Sequence, residues 1–367
     1  MRIAAAITHA TGAPFALEQV ELGGPAPDEV LVRIAGTGIC HTDLLARDGD
    51  YPMPLPAVLG HEGAGVVEAV GAQVDELAPG DHVVLTYRSC GRCPSCASAS
   101  PGYCRDIFQL TYGGARPDGT SALSQDGAPL HGHFFSQSSF AEYAIAHRRN
   151  AVKVRDDVPI EALGPLGCGV QTGVGAVIYS LGARPGTSIA ILGTGAVGLS
   201  AVTGAVLAGC TTIVAVDLKP SRLTLARELG ATHTIRAGGV EDLAAQLRDV
   251  APDGLDFTLD TTGRPEIVRT AVDALAPMGA CGLIGGSRLG TEVSLDMNTI
   301  LFGGRTFRGI IGGDSVPQLT IPLLVDLYAS GRLPLDKLIT YYPLDRIDEA
   351  VADTESGAAV KAVLRPA

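Results

Sequence analysis

The chain has 367 residues, of which 46% are hydrophobic and 18% charged, and its mean hydropathy is positive. At about 150 residues per domain, this length predicts two domains with a large core in each, and the composition excludes disorder as the main state. Thirty-nine acidic against 27 basic side chains leave a net charge of −12. No basic stripe interrupts that excess, so we predict no binding to nucleic acid.

The N-terminal residues lack the sustained apolar stretch and the cleavage site of a secretory signal, which predicts a cytoplasmic protein. Residues 187–216 are uncharged and long enough to cross a membrane. Glycines and β-branched runs divide this segment, however, in the pattern of a strand, a turn, a buried helix and a second strand. We therefore predict no membrane span.

From Met1 to about Arg149, short apolar-alternating runs are cut by glycine and proline. Such runs lie at Glu29–Ile34, Gly65–Val70 and Asp81–Leu85. Short strands between turn signals predict a β-rich, barrel-like domain.

From about Pro159 onward, strand-like and helix-like segments alternate. The strand-like segments are Ser188–Leu192, Thr212–Asp217, Asp256–Asp260 and Ala280–Ile284. This alternation predicts an α/β domain with a doubly wound parallel sheet. After residue 302, a strand at Thr306–Ile311 leads to a helix-rich tail that rejoins the first domain. We predict a discontinuous first domain, residues 1–168 and 303–367, and a second domain, residues 169–302, with the active site in the cleft between them.

A glycine pattern marks the second domain as a dinucleotide-binding domain. Gly193, Gly195 and Gly198 follow a predicted strand and open a helix, and the next strand ends at Asp217, nineteen residues after Gly198. The glycines permit a tight turn and a close approach of the backbone to a pyrophosphate at the helix N-terminus. The Asp217 carboxylate would accept hydrogen bonds from the adenosine ribose and repel a 2′-phosphate, which favours NAD over NADP, although Lys219 and Arg222 follow closely.

Four cysteines lie within fifteen residues of glycine- and proline-rich chain, at Cys90, Cys93, Cys96 and Cys104. In a chain without an export signal, clustered cysteines predict a metal site before they predict disulfides. Four thiolates close the coordination shell of a tetrahedral zinc ion, so this ion would be structural. The alternative is an iron–sulfur cluster, but its usual run ends in C-x3-C-P, and here the last gap is seven residues.

A second set of metal-binding residue types is spread along the chain at Cys40, His61 and Cys168. Each alone is compatible with ordinary burial in the core. Together, two thiolates and an imidazole are the ligands of a zinc site with a fourth position open for substrate, which is typical of a catalytic ion.

In this order, the motifs resemble those of the zinc-dependent medium-chain alcohol dehydrogenases over nearly the whole chain. The matching segments are residues 38–43, 60–67, 90–104, 167–169 and the Gly193 turn. Residues 134–141 and 164–173 are most similar to the aryl-alcohol, or benzyl-alcohol, dehydrogenase branch. The resemblance implies a GroES-like catalytic domain with a Rossmann cofactor domain.

The resemblance also implies roles for individual residues. Cys40, His61 and Cys168 would hold a catalytic zinc, and Cys90, Cys93, Cys96 and Cys104 a structural one, giving two zinc ions per chain. Thr42 would hydrogen-bond the alcohol, Asp43 would orient His61, and Glu62 would lie behind the metal. The implied cofactor contacts are Thr172, Gly193, Gly195, Val197, Gly198, Asp217, Arg222, Ile284 and Lys361, the last at the pyrophosphate.

The implied reaction is reversible hydride transfer between a primary aromatic or allylic alcohol and NAD, giving the aldehyde. The sequence departs from the family at Leu45, where a histidine often ends a proton relay from Thr42, so we predict that proton release uses water or Arg47. A benzylic alcohol needs an apolar slot, for which the candidate walls are Phe140, Ile107, Leu110 and Ile284. Ordinary core packing is the favoured interpretation of each of these residues.

Several alternatives stay open at this point. Geraniol and related terpenoid alcohols compete with benzylic substrates, and an S-(hydroxymethyl)glutathione-type formaldehyde dehydrogenase has the same fold. A zinc-free enone reductase would not need the full ligand set, and a non-enzymatic zinc and nucleotide binder would not need an open metal position. The resemblance implies a homodimer or homotetramer built on sheet edges of the cofactor domain, with Thr306–Ile311 at the contact.

Overall fold

The structure is a computed structural model that describes residues 1–238 and 240–366. Gly239, in the predicted second domain, and Ala367, at the end of the predicted first domain, lie outside the described residues. The chain divides into two compact units, Met1–Cys168 with Val316–Ala367, and Gly169–Ser315. No helix among the described residues combines the length and apolar character needed to cross a membrane.

Secondary-structure elements are numbered in chain order. The strands before Cys168 are β1 (Arg2–Thr8), β2 (Phe15–Leu22), β3 (Glu29–Gly38), β4 (Ala57–Val58), β5 (Glu62–Val70), β6 (His82–Leu85), β7 (Leu123–Gln125), β8 (Ala128–Pro129), β9 (Tyr143–His147) and β10 (Ala151–Lys153); the helices there are α1 (His41–Arg47), α2 (Pro94–Ala97) and α3 (Ile107–Tyr112). The second unit contains α4 (Gly169–Gly175), β11 (Ser188–Leu192), α5 (Ala196–Ala208), β12 (Thr212–Asp217), α6 (Pro220–Glu228), β13 (His233–Arg236), α7 (Val240–Val250), β14 (Leu255–Asp260), α8 (Pro265–Asp273), β15 (Leu275–Leu283), α9 (Met297–Gly303) and β16 (Thr306–Gly309). The C-terminal part adds α10 (Pro317–Ala329), β17 (Ile339–Pro343), α11 (Ile347–Ser356) and β18 (Lys361–Arg365).

The first unit is β-rich and holds two sheets. One has the order β4-β1-β2-β7-β8, and the other has the order β10-β6-β5-β3-β18-β17 with β9 also paired to β3. In β3, the buried Val30, Val32 and Ile34 alternate with the more exposed Leu31, Arg33 and Ala35. Alternation is expected because successive side chains of a strand point to opposite faces.

The register of the second sheet brings distant segments of the first unit together. Gly38, the last residue of β3, pairs with Glu62, the first residue of β5, and also with Val363 of β18. The residues just beyond these strand ends therefore become neighbours. This register places Cys40, His61 and Lys361 at one end of the sheet.

The second unit is a six-stranded parallel sheet with the order β13-β12-β11-β14-β15-β16. Its central strands are almost fully buried because helices connect each strand to the next, as expected for a parallel sheet. This unit extends to Ser315, beyond the predicted boundary at residue 302. The physical reason is that β16 pairs with β15 and so completes the parallel sheet.

Candidate active site

Four potential metal ligands of the first unit converge on one point. Cys40, His61, Glu62 and Cys168 each offer a ligand atom, and these atoms all lie within 4.8 Å of one another. Cys40 caps the N-terminus of α1, His61 precedes β5, and Cys168 follows a short 3₁₀ turn at Gly164–Gly167. The set combines segments up to 128 residues apart, Cys40 and Cys168 being the extremes.

Asp43 orients the imidazole of His61. Its Oδ1 lies 2.8 Å from His61 Nδ1, while its Oδ2 accepts a hydrogen bond from the backbone N–H of Cys40 at 2.8 Å. Both side chains are buried. Because a carboxylate can only accept, Nδ1 carries the proton and Nε2 is the free ring nitrogen.

Nε2 is the atom of His61 that could bind a metal ion. Nε2 is buried and has no hydrogen-bond partner among the described residues. Burial lowers the pKa of His61, but Asp43 and Cys40 together raise it, to a net value of about 10. A thiolate pair with an unpartnered imidazole is the donor set that zinc prefers, and binding of the ion would displace the proton at Nε2.

The two thiols of this set share one negative charge. The hydrogen bond from Cys168 lowers the pKa of Cys40 well below its usual range, and the same contact raises the pKa of Cys168. Two like charges at such a short distance are stable only with a cation between them. The electrostatics therefore fit a divalent metal.

Glu62 forms an ion pair with Lys361 beside this ligand set. Lys361 Nζ donates to both carboxylate oxygens of Glu62 at 2.9 Å and to the carbonyl of Ile39 at 2.9 Å. Glu62 is fully buried and Lys361 is 4% exposed. The ammonium group thus has three acceptors inside the first unit, whereas the resemblance assigns it to the pyrophosphate.

The side chains around the ligands differ in part from the predicted walls. Phe135, which the sequence analysis did not single out, stacks on the His61 ring with centroids 4.2 Å apart and an angle of 18° between the planes. Phe140 is fully buried against Phe15, so it is a core residue and not an exposed wall. Only the Phe134-Phe135 doublet signalled an aromatic surface. Both rings contact His61, Phe134 by its edge with centroids 5.6 Å apart and Phe135 by stacking.

Thr42 and Arg47 lie on the same short helix but have different surroundings. Thr42 Oγ1 is 3.8 Å from Cys40 Sγ, which places its hydroxyl at the ligand set. The Arg47 guanidinium binds Asp48 at 2.6 and 3.0 Å and Glu355 at 3.1 Å. These carboxylates raise its pKa further. A guanidinium so held is a poor proton carrier, which argues against a relay through Arg47.

The four cysteines of residues 90–104 also converge. Sulfur–sulfur distances are 3.5 Å for Cys93–Cys96 and 4.0 Å for both Cys90–Cys96 and Cys93–Cys104. Four sulfurs at about 2.3 Å from one tetrahedral zinc ion lie about 3.8 Å apart, in agreement with these values. A backbone N–H of Cys90 donates to Cys104 Sγ at 3.2 Å. The geometry fits a single ion better than a multi-iron cluster, whose ligands bind different iron atoms.

In the second unit, the predicted cofactor residues collect at the carboxyl ends of parallel strands. Gly193 follows β11 with φ of +94°, Asp217 ends β12 and Ile284 follows β15. A side chain at Gly198 would place its Cβ 1.9 Å from the Gly193 carbonyl oxygen, so α5 begins in direct contact with the turn. This edge is where dinucleotides bind in doubly wound sheets.

Asp217 is held by the turn itself. Its Oδ2 accepts from the N–H and the hydroxyl of Thr194, both at 2.8 Å, and its Oδ1 accepts from the N–H of Lys219 at 2.9 Å. The Nε atom of Arg222 is buried without a partner among the described residues, and the guanidinium lies against Gly195. Gly195 and Val197 are half-buried at the start of α5, and Thr172 lies on α4, which packs against α5.

Two family models match the chain. Residues 26–156 match the alcohol dehydrogenase GroES-like domain, and residues 196–330 match the zinc-binding dehydrogenase family. The predicted fold class, a GroES-like domain with a doubly wound Rossmann domain, is confirmed by these matches and by the solved structures below.

Several relatives are similar to this chain over almost its entire length. Geraniol dehydrogenase of Castellaniella defragrans is 47% identical over 361 residues, which cover 98% of this chain and 96% of that protein. The crystal structure of an alcohol dehydrogenase zinc-binding domain protein from Burkholderia ambifaria has a TM-score of 0.97 at 54% identity, covering 100% of this chain and 99% of that one. Benzyl alcohol dehydrogenase from Acinetobacter calcoaceticus has a TM-score of 0.96 at 46% identity over 100% of both chains.

Proposed function

Because the chain belongs to the zinc-dependent medium-chain alcohol dehydrogenases, we propose that it interconverts a primary aromatic or allylic alcohol and its aldehyde with NAD. The observation that carries this proposal is the buried, unpartnered Nε2 of His61 beside Cys40 and Cys168. Asp43 leaves that nitrogen free, and no other described group satisfies it. A catalytic metal supplies the missing partner.

We assign Cys40, His61 and Cys168 to a catalytic zinc, and we call these three residues the catalytic set. Cys90, Cys93, Cys96 and Cys104 are assigned to a second, structural zinc. Zinc in the catalytic set would act as a Lewis acid that polarises the oxygen of the substrate. The four-cysteine loop leaves no open position, so its ion would only hold the loop together.

The protein's own side chains set the charge and orientation of this site. Asp43 fixes the His61 ring by its 2.8 Å hydrogen bond. The Lys361 ammonium neutralises the Glu62 carboxylate, which would otherwise add a buried negative charge beside two thiolates. With Glu62 paired to Lys361, the negative charge at the catalytic set comes from the sulfurs of Cys40 and Cys168.

Thr42 is the residue that we assign to the substrate hydroxyl. Its own hydroxyl lies at the ligand set, 3.8 Å from Cys40 Sγ, and can accept the substrate proton in a hydrogen bond. Leu45 offers no onward acceptor, and Arg47 is occupied by Asp48 and Glu355. Proton release from Thr42 is therefore proposed to use water.

We assign the Gly193 turn, Asp217 and Arg222 to NAD, with Thr172, Val197 and Ile284 toward its nicotinamide end. NAD would supply the hydride acceptor for alcohol oxidation. The carboxylate of Asp217, anchored by Thr194, is assigned to the adenosine ribose, where its charge would disfavour a 2′-phosphate. Lys361, assigned to the pyrophosphate by the resemblance, is proposed instead to serve as the partner of Glu62.

The substrate class is proposed from two supports. The names of two relatives refer to geraniol and benzyl alcohol, which share a hydroxyl-bearing carbon next to a π system. In this chain, the Phe135 ring stacks on His61 beside the ligand set and offers an aromatic surface to such a substrate. An aliphatic alcohol would gain less from that surface.

The experiment that tests the proposal is an alcohol panel with NAD and NADP, run before and after removal of zinc. We expect kcat/KM for benzyl alcohol and geraniol to exceed that for ethanol, and activity to be lost without zinc and restored with it. Full activity of a protein verified as metal-free would refute the proposal. A preference for formaldehyde that depends on glutathione would support the glutathione-dependent alternative, and an ethanol preference would remove the aromatic or allylic assignment.

We propose that the chain forms a homodimer or homotetramer through β16. This strand is the edge of the parallel sheet, and an edge strand can pair with a second copy. Met278, Leu301 and Phe302, in neighbouring elements, each expose more than 70% of their surface. Light scattering on a gel-filtration column should give a mass of two or four chains, and Phe302→Asp should lower it to one chain or one pair.

Both cysteine sets require reduced thiols, and all eight cysteines are free in the structure. Thiols are kept reduced in the cytoplasm. We therefore propose that the protein acts there.

A further inference from the structure

We propose that Thr86 and Gln137 form a hydrogen-bonded bridge that holds the ligands His61 and Cys168 at the separation a metal requires. This inference rests on the proposed function, because it concerns the same catalytic set. Neither residue contacts the ligand atoms, so both are positioning residues. The bridge is built from three segments of the first unit that are distant in sequence.

One end of the bridge reaches the cysteine ligand. The hydroxyl of Thr86, the residue after β6, donates to the carbonyl of Gly167 at 2.6 Å. Gly167 immediately precedes Cys168. Thr86 is fully buried. Its hydroxyl therefore fixes the peptide from which the Cys168 side chain departs.

The other end of the bridge reaches the histidine ligand. The side-chain amide of Gln137 donates to the carbonyl of His61 at 2.9 Å and to the carbonyl of Thr86 at 3.1 Å. Its oxygen accepts from the N–H of Gly63 at 3.2 Å. Gln137 thus binds the backbone on both sides of Glu62 and links it to Thr86.

The bridge is itself anchored in the core. The N–H of Thr86 donates to the carbonyl of Asn150 at 2.9 Å, and the Asn150 amide donates back to the Thr86 carbonyl at 3.2 Å. Gln137 is 2% exposed and Asn150 is fully buried. In such a low-dielectric setting, hydrogen bonds are strong and direction-dependent, so these bonds favour one arrangement of Thr86 and Gln137. Asn150 Oδ1 is buried without a partner among the described residues.

The turn that precedes Cys168 packs directly against neighbouring backbone. A Cβ at Gly167 would lie 1.9 Å from the Leu85 carbonyl oxygen, and a Cβ at Gly164 would lie 2.1 Å from that of Glu62. The turn before Cys168 therefore lies directly on the ends of β5 and β6 without side chains between. The Thr86 hydroxyl is the polar side-chain contact that pins this turn to β6.

The consequence is geometric. His61 and Cys168 are 107 positions apart, yet metal–ligand distances are tolerated only within about 0.2 Å of their preferred values. Gly167 and His61 are joined through two side chains, those of Thr86 and Gln137. Loss of the Thr86 hydroxyl should loosen the catalytic set while leaving the four-cysteine loop unaffected.

The test uses the zinc-loaded full chain and measures zinc release to a chromogenic chelator. Cys93→Ser identifies the release phase of the four-cysteine loop, and Cys168→Ser that of the catalytic set. For Thr86→Val, we expect release from the catalytic set to accelerate about tenfold or more, with the other phase unchanged. The visible spectrum of the cobalt-substituted protein should shift in parallel.

Matched variants separate positioning from general loss of stability. Thr258 is an equally buried threonine in the second unit whose hydroxyl donates to the Ala271 carbonyl at 3.1 Å. Thr258→Val should leave both phases unchanged, and Thr86→Ser, which keeps the hydroxyl, should restore the wild-type rate. Gln137→Met removes the other half of the bridge and should accelerate the same phase.

The results that would refute the bridge differ from those that would refute the proposed function. If either Thr86→Val or Gln137→Met folds and releases zinc from the catalytic set at the wild-type rate, the bridge has no positioning role. If Cys40→Ser and Cys168→Ser release zinc exactly as the wild type does, the catalytic set itself is wrong and the proposed function fails.

Discussion

The carboxylate of Asp43 and the imidazole of His61 are joined at 2.8 Å with both side chains excluded from solvent. The same carboxylate also accepts from the N–H groups of Cys40 and Gly60. One acid therefore organises the backbone of one thiolate ligand and the ring of the histidine ligand. The proposed zinc ligands therefore depend on this group for their orientation.

Replacement of Asp43 should weaken the binding of zinc to the catalytic set. Asp43→Ala leaves His61 Nδ1 without its acceptor, and we expect zinc affinity and kcat/KM to fall about 10- to 100-fold. Asp43→Asn retains one acceptor oxygen, so its zinc affinity and kcat/KM should lie between those of the wild type and of Asp43→Ala. Zinc titration against a competing chelator measures the affinity. Asp48→Asn, an exposed acid five residues later, is the control, and equal losses in both variants would contradict the prediction.

Removal of Lys361 should destabilise the fold because the buried Glu62 carboxyl loses its cation. Burial raises the pKa of Glu62 to about 7 even beside Lys361, so without Lys361 the acid would take up a proton and its ion pair would be lost. We expect Lys361→Met to lower the free energy of unfolding by about 3 to 5 kcal/mol, measured by urea denaturation. The double variant Lys361→Met with Glu62→Gln removes both charges and should regain most of that loss. If the double variant is no more stable than the single one, the pair is not the source of the effect.

Truncation of Phe135 should change substrate preference. The ring stacks on His61, so Phe135→Ala removes an aromatic surface beside the ligand set. We expect kcat/KM for benzyl alcohol to fall about three- to tenfold relative to that for ethanol. Phe108→Ala, which truncates a ring that is 60% exposed on α3, is the control. An unchanged ratio of the two substrates would remove Phe135 from the substrate surface.

Neutralising Asp217 should weaken the discrimination between the two dinucleotides. With Asp217→Ala, we expect the Kd for NAD to rise and the preference for NAD over NADP to drop about tenfold or more, since the charge that repels a 2′-phosphate is gone. Isothermal titration calorimetry gives both values without turnover. Asp249→Ala, an exposed acid on α7, should change neither, and a preserved preference in Asp217→Ala would exclude this role.

His133 should make the fold sensitive to acid. Burial, reinforced by Arg116 and Arg88, lowers the pKa of His133 to about 4 from an ordinary value of 6.5, while Glu29 and Asp118 act in the opposite direction. Between these values the unfolded chain binds a proton that the folded chain does not, so stability falls as the pH falls from 6.5 toward 4. At pH 4.5 this amounts to about 2 to 3 kcal/mol.

A variant without a titratable side chain at position 133 tests the direction of this pH dependence. In the wild type, the His133 ring accepts a hydrogen bond from the N–H of Ala122 at 3.1 Å, and a glutamine oxygen can replace that acceptor. The stability of His133→Gln relative to the wild type should therefore rise between pH 7 and pH 4.5. His233→Gln, at an exposed site, should show no such rise. A pH-independent difference for His133→Gln would contradict the prediction.

Local patterns explain why much of the fold was predictable. The alternation of strands and helices after Pro159 predicted the parallel sheet, and the observed β11, β12 and α5 begin and end close to the predicted residues. The boundary at residue 302 was less predictable. A strand at Thr306–Ile311 was expected, but its partner, β15, is a matter of sheet pairing that a local pattern does not contain.

The pattern of charges and aromatic rings near the ligands was harder to predict. Lys361 and Glu62 are 299 residues apart, and no periodicity links them. Phe135 and Phe140 are equally aromatic in sequence, yet one stacks on His61 and the other fills the core beside Phe15. Which ring faces the ligand depends on the left-handed backbone of Phe135, whose φ is 52°.

Two features of this protein were determined by the sequence alone, because their parts are neighbours along the chain. The cysteine loop spans fifteen residues and the glycine turn six, so short loops suffice to bring their groups together. Only the tertiary structure decided the meeting of Cys40, His61 and Cys168 and the network of Asp43, Thr86, Gln137 and Lys361 around them. Those contacts arise from the pairing of β3 with β5 and β18 and from buried hydrogen bonds between segments that no local spacing relates.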